Sequence, residues 1–335
     1  MAKKYSFKIL QVTDGYLLAA KGYSVSKGSL DGKKLSSVGE IDDNKFKLVS
    51  KCRFFRRLLR AEIVHLYGLS NNDYIALAKK GLFAKRENGD AIKKVFSLPR
   101  GSKPLNICTL PNGHVYFGEY FQNMEKEAVN IYGSTDNGET WKVFYTFPAG
   151  NINHVHGLFY DKYTGRMWFL TGDRDNECII GYTEDEFKTA KEVLRGGQEY
   201  RSCQLFFYPD FIVYATDSQY TQNEIRKIDR KTLEITTLAK VQGSVIKGGQ
   251  CGDVSFLSTT VEPSDVNKDR FAHIWVTKDG RHWEDVYKAE KDGWPSIFQF
   301  GTFEFPEYQV EKVDRLYFSG RALKGLDGKT IYIEL

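Results

Sequence analysis

Two histidines one residue apart, His154 and His156, offer the sharpest chemistry in this chain of 335 residues. In an extended segment, positions i and i+2 project to the same face. Two imidazoles so placed can give two ligands to one divalent metal, or act without metal as a base and its neighbour. Asp173 or Gln198 would supply the remaining ligands. The same spacing also fits purely local roles, one ring bonded to loop backbone and the other exposed. Four carboxylates, Glu119, Asp173, Asp217 and Glu262, stand in four polar stretches between apolar runs. Two of them facing across a pocket could share acid and base work on a glycosidic bond, and each could equally be an acceptor that fixes its own loop. Arg201 can grip a substrate carboxylate through two parallel hydrogen bonds. Gln198, Glu119, Tyr120 and Asn223 complete the substrate-binding set, and Tyr120, Phe121, Tyr200 and Tyr220 are flat rings on which a sugar can stack.

Short strands must position these residues. Aromatic residues are 14% of the chain, and 30 glycines stand against 8 prolines, a composition that suits many short strands and tight turns. The clearest turn is Ser134-Thr135-Asp136-Asn137-Gly138-Glu139-Thr140-Trp141, with apolar runs on both sides. Gly138 can take positive φ and Asp136 can bond back to the turn amides. A shorter copy, Thr277-Lys278-Asp279-Gly280-Arg281-His282-Trp283, follows Ile274-Trp275-Val276. Asp136 and Asp279 are 143 positions apart, about three blades of 48 residues, and the whole chain is about seven such blades long. The expectation is an all-β chain, residues 1–335 forming a single seven-bladed β-propeller domain, with six blades and an N-terminal extension as the alternative.

The pattern predicts four strands per blade, A to D, with A innermost. Blade one takes its fourth strand from Lys45–Val49. Asn88-Gly89-Asp90 fills the turn position in blade two. Blade four opens at Gly157, so His154 and His156 fall in the connection before it, and Thr183–Phe187 replaces the turn with Phe187 in the place of the tryptophan. Blade six starts at Val254, after a connection through Gly248-Gly249-Gln250-Cys251. Blade seven shows three strands, so the N-terminus is expected to add a fourth and close the ring. The one helical periodicity runs from Phe54 to Val64. In a propeller the A–B and C–D turns share one end, and the B–C loops and D–A connections share the other. The first set is short and generic. The second carries the histidines, the carboxylates and Arg201, which places the functional centre there, on blades three to six.

The turn strings resemble the Asp-box, S-x-D-x-G-x-T-W, of the sialidase-like (BNR repeat) β-propellers; Ser134, Asp136, Gly138, Thr140 and Trp141 match it. The resemblance implies the propeller fold and a structural role for Asp136 and Asp279. It does not carry sialidase activity, because no Arg-Ile-Pro occurs. Phe55-Arg56-Arg57-Leu58-Leu59 is a distant counterpart, and Arg57, Arg201 and Arg321 form a triad only in principle. Asp-box propellers also include other glycosidases, polysaccharide lyases and non-catalytic modules. The lyases that act on uronate polymers use histidines, some with bound metal. The resemblance thus implies a carbohydrate-active glycoside hydrolase or polysaccharide lyase acting on an acidic glycan. The alternative is a non-catalytic propeller that binds a glycan or a protein.

Net charge is +5 and spread along the chain. The dense basic run from Arg53 to Arg60 comes with no nucleic-acid-binding motif, so nucleic acid is not expected as a partner. No segment approaches 18 apolar residues, so no membrane span is expected. The N-terminus lacks an apolar segment after its charges, which makes the cytoplasm the expected location. The five cysteines fit no zinc or disulfide framework, and Cys108 and Cys203 read as buried thiols.

Overall fold

The computed structural model describes residues 3–43, 45–69, 73–87, 89 and 91–335. Seven sheets form the seven blades of a β-propeller. Blades two to six are four-stranded antiparallel meanders in chain order. The inner strands are His65–Gly68, Cys108–Thr109, His154–Asp161, Ser202–Phe207 and Val245–Cys251. Apolar clusters fill the space between neighbouring blades. Ile75 and Leu77 of blade two pack on Val115 and Phe117 of blade three, and Trp168 and Leu170 of blade four on Ile212 and Tyr214 of blade five.

Closure uses both ends of the chain. Blade seven consists of Thr302–Glu304, Arg315–Arg321 and Thr330–Glu334. Tyr5 bridges Thr330 on its outer edge through two backbone hydrogen bonds of 2.8 and 3.1 Å. Glu307–Gln309 then crosses to blade one and pairs in parallel with its first strand, Lys8–Thr13. The N-terminus was expected to add a fourth strand to blade seven; it adds an isolated bridge at Tyr5, its strand Lys8–Thr13 belongs to blade one, and the return strand into blade one was not foreseen.

Four expectations need correction. The fourth strand of blade one is Ser36–Glu40; residues 45–51 hold turns and a short 3₁₀ helix instead. Val245–Cys251 is the inner strand of blade six, not a connection. His154 and His156 open the inner strand of blade four rather than preceding it. The helix is shorter than predicted, Arg53–Leu59, and ends at Arg60 in the left-handed region. Asn88 and Asp90 lie outside the described residues, so the turn expected there is not assigned. Among the described residues no helix is long and apolar enough to cross a membrane.

The turns that seeded the sequence reading are closed by their own side chains. Asp136 Oδ1 accepts from the amides of Glu139 and Thr140 at 3.1 and 2.9 Å, Ser134 Oγ accepts from the Gly138 amide at 2.8 Å, and Trp141 Nε1 donates to the Gly138 carbonyl. Asp279 and Thr277 repeat the pattern. So does a third turn, in blade four. Asp185 Oδ1 accepts from the Thr189 amide, and Thr183 Oγ1 accepts from the Phe187 amide, both at 2.9 Å. Phe187 therefore occupies the place of Gly138, not that of the tryptophan, and has a φ of 68° where Gly138 has 78°. Its buried ring packs on Tyr116, Tyr145 and Phe169. That packing offsets the cost of the left-handed backbone.

Candidate functional site

The inner strands of blades one, four, five and six each carry a bulge with one extra residue: Leu10, His156, Cys203 and Ile246. A bulge re-aims side chains and increases local twist. His156 and Cys203 are thus equivalent positions in neighbouring blades, and they meet in one buried cluster with Asp217. Gly172 makes room for this arrangement: a Cβ there would lie 2.4 Å from His156 Cε1.

Both histidines are buried, and their side chains face each other. Their Nε2 atoms are 3.1 Å apart. Asp173 Oδ1 lies 3.2 Å from the Nε2 of His156 and 3.5 Å from that of His154. Each Nδ1 faces a backbone carbonyl, His154 that of Phe121 at 2.9 Å and His156 that of Ser202 at 3.0 Å. Arg201 Nη2 reaches Asp173 Oδ1 at 3.0 Å, and Asn153 Nδ2 donates to Oδ2 at 3.0 Å. Burial opposes the charge on Asp173, but hydrogen bonds to the two histidines outweigh it and hold the carboxyl far below the usual range. Gln198 braces the Asp173 segment by donating to its carbonyl at 3.0 Å and to Asp175 at 2.8 Å. The Tyr120 ring covers His154 with a centroid separation of 4.3 Å.

Beside this cluster a pocket of about 330 Å³ opens at the end of the channel that carries the B–C loops and D–A connections. Tyr120, Arg201, Asp217 and Glu262 line it. So do five residues on connections and strands that sequence reasoning passed over: Arg60, Glu62, Lys103, Lys247 and Gln299. Arg321, considered only as part of an arginine triad, lines it too; Arg57, the third member of that triad, is held by Asp292 instead. Among the described residues the buried Nε–H groups of Arg201 and Arg321 make no hydrogen bond, and that of Arg201 lies 3.7 Å from Asp217 Oδ2 in an ion pair. His154, His156 and Asp173 sit behind the lining rather than on it.

The wall of the pocket is electrostatically polarised. Burial, then the charge of Arg321, pushes Lys247 down to about 7, and Lys103 is pushed well below its ordinary value by the same two causes. Burial, then the charge of Asp217, raises Glu262 to about 7. Burial likewise raises Asp217, against the pull of Arg201. Glu262 accepts a hydrogen bond from Gln219 at 2.5 Å, and Cys203 Sγ donates to Asp217 at 3.3 Å.

Two predicted site residues are elsewhere. Glu119 is buried against Arg100, which donates from Nε at 3.0 Å and from a second nitrogen, and it also accepts from the Asn130 amide; it fixes its loop. Asn223 is buried in a network with Ser218, Thr216 and Asn267 that fixes the blade-five loop. The basic run of the helix is largely consumed internally. Arg53 pairs with Glu62 and Asp327, and Arg57 with Asp292.

No family model and no curated protein matches the chain. Solved structures do. A chain of a mitotic checkpoint complex aligns with a TM-score of 0.57 at 8% identity, over 99% of this chain and 90% of that one. YCF48 bound to D1 peptide aligns at 0.57 and 10% identity, over 100% and 96%. An ancestral GH74 enzyme aligns at 0.56 and 10% identity, over 98% of this chain but 46% of that one. At these identities the likeness establishes the fold alone.

Proposed function

We propose that this chain is a carbohydrate-active propeller of the sialidase-like, Asp-box kind, a glycoside hydrolase acting on an acidic glycan. The observation that carries the reading is Glu262, raised to about 7, in a pocket walled by Lys103, Lys247, Arg201 and Arg321. A carboxyl with that value keeps its proton near neutral pH and can donate it to a departing glycosidic oxygen. Asp217 is its partner. The charge of Asp217 is the second cause of the Glu262 shift, the relation expected of two carboxyls that divide acid and base roles. The arginines of the wall suit a ligand carboxylate, and the Arg321 Nε–H, without a hydrogen-bond partner among the described residues, is a donor in want of one. The polysaccharide-lyase form, with a histidine as base, has less support because His154 and His156 lie behind Tyr120 and off the lining. The Asp-box reading draws support from the three self-closed turns.

The test is a panel of acidic glycans followed by both new reducing ends and absorbance of unsaturated products. The expected result is reducing ends without unsaturation, with kcat lowered at least about 100-fold in Glu262→Gln. An E262Q variant as active as wild type would sink the acid assignment, and unsaturated products would move the reading to a lyase. A second reading, a non-catalytic propeller that binds a protein or glycan, is favoured by one feature. Ile297 and Phe300 are exposed and line the pocket, and Phe54, Phe55 and Leu58 of the helix Arg53–Leu59 are exposed as well. Binding without turnover across the panel would support it.

A further inference from the structure

We propose that His154 Nε2, His156 Nε2 and Asp173 Oδ1 bind one divalent transition-metal ion, for which zinc is the fitting probe. The proposal does not depend on the glycan reading. Three facts carry it. First, His156 Nδ1 faces the Ser202 carbonyl, and His154 Nδ1 faces the Phe121 carbonyl beside the Asn153 amide; with the ring protons on Nδ1, both Nε2 atoms can turn from hydrogen-bonding Asp173 to binding a metal. Second, the three donor atoms face one another at 3.1, 3.2 and 3.5 Å, with both histidines buried and Arg201 Nη2 on the far side of Asp173 Oδ1. With the ring protons on Nδ1, a metal ion among the three atoms takes the place of the imidazole protons that otherwise bond to Asp173. Third, the size is right. Tetrahedral zinc with bonds of about 2.0–2.1 Å separates its ligands by about 3.3–3.4 Å, and the observed edges bracket that value. Two imidazoles and a carboxylate form a donor set suited to such an ion, with further positions left open. Arg201 and Asn153 orient the carboxylate from outside, as outer-shell partners of metal ligands do.

An ion here would tie the inner strand of blade four to its own B–C loop, directly behind the Arg201 guanidinium that lines the pocket. A second donor group, Cys203 with Asp217, shares His156. The experiment must separate the two sets, and it must also separate a metal from a proton held by one histidine. The full chain is stripped with chelator, dialysed against zinc alone, and assayed for bound metal by atomic absorption; cobalt is substituted in parallel for its visible d–d spectrum. One zinc per chain is expected, with a tetrahedral cobalt spectrum and a higher melting temperature. His154→Gln and His156→Gln should each lose the zinc, Asp173→Asn should weaken it at least about tenfold, and Cys203→Ser should leave it in place. Circular dichroism checks that each variant is folded. Wild-type chain that retains no zinc overturns the proposal and leaves a shared proton as the cation, and this arm needs no variant. Loss of zinc in C203S with retention in D173N overturns the ligand assignment.

Discussion

Glu262 and Lys247 reach the same value, about 7, from opposite directions. Below that pH Glu262 is a neutral acid and Lys247 a cation, the pair of states that an acid-catalysed attack on an anionic glycan requires. Raising the pH through 7 removes both protons. We therefore expect kcat/KM to hold up to neutrality and fall above it, read from a pH–rate profile. Lys247→Arg, charged throughout, should keep KM low at pH 8 while kcat still declines. Stability gives an independent check. The folded value of Glu262 lies above the unfolded one, so its contribution is present at acid pH and is lost as pH rises from about 4.5 through 7. At pH 8 the half-buried carboxylate is a cost that a glutamine avoids. E262Q should then melt above wild type at pH 8 and equal to it near pH 4, by calorimetry at both values. Much of this site was legible. Spacing alone paired His154 with His156, and loop position gathered Asp173, Gln198, Arg201, Asp217, Glu262 and Tyr120 at one end. Lys103, Arg60 and Glu62 were not legible, because single long side chains on irregular connections carry no periodic signal, and Lys247 was hidden because its strand was read as a connection. Which of them meet is decided by the ring, not by the local sequence. Glu119 and Asn223 misled because a buried loop-fixing acceptor and a ligand contact have the same composition.

At the scale of elements, the turn motif and the bulge divide the work between the two ends of each blade. The turns hold the far end. Trp141 is half-buried against Phe96 and Phe117, with centroid separations of 5.7 and 5.5 Å. Trp141→Ala should lower stability by about 3 kcal/mol, near the small end for a lost tryptophan. Urea unfolding measures this, and activity per folded molecule should be unchanged; a stable but inactive variant would contradict the structural role. The bulges serve the pocket end, where they bring His156 and Cys203 together from successive blades. Two strands escaped the sequence for different physical reasons. Ser36-Ser37-Val38-Gly39-Glu40 is an outer strand with one apolar residue, so it has no buried face to advertise. Val245–Cys251 contains Gly248 and Gly249, residues depleted in strands. Here Phe256 on the next strand approaches so closely that a Cβ on either glycine would lie within 2.8 Å of it. A close approach of backbone is invisible until the partner strand is known.

The whole molecule is a ring whose seam draws on residues from both ends of the chain. Tyr5 holds the edge of blade seven at Thr330, the Ile9 amide donates to Thr330 Oγ1 at 3.1 Å, and Glu307–Gln309 holds the inner edge of blade one. A chain starting at Thr13 lacks both sides of this seam. Its thermal transition should move down as a whole, by calorimetry; a small early transition with the main one unmoved would show that the seam is only local. The seam also has a consequence in time. A chain made from its N-terminus can finish blades two to six as each one emerges, since their strands are consecutive. The first strand of blade one instead waits for a partner nearly 300 positions further on. At about 5–20 residues per second that wait is roughly 15–60 s. For that interval Lys8–Thr13 presents an unpaired edge of the kind that recruits other strands. The earliest-made of the seven blades thus stays incomplete until after blades two to six are finished, and crowding of nascent chains threatens it there.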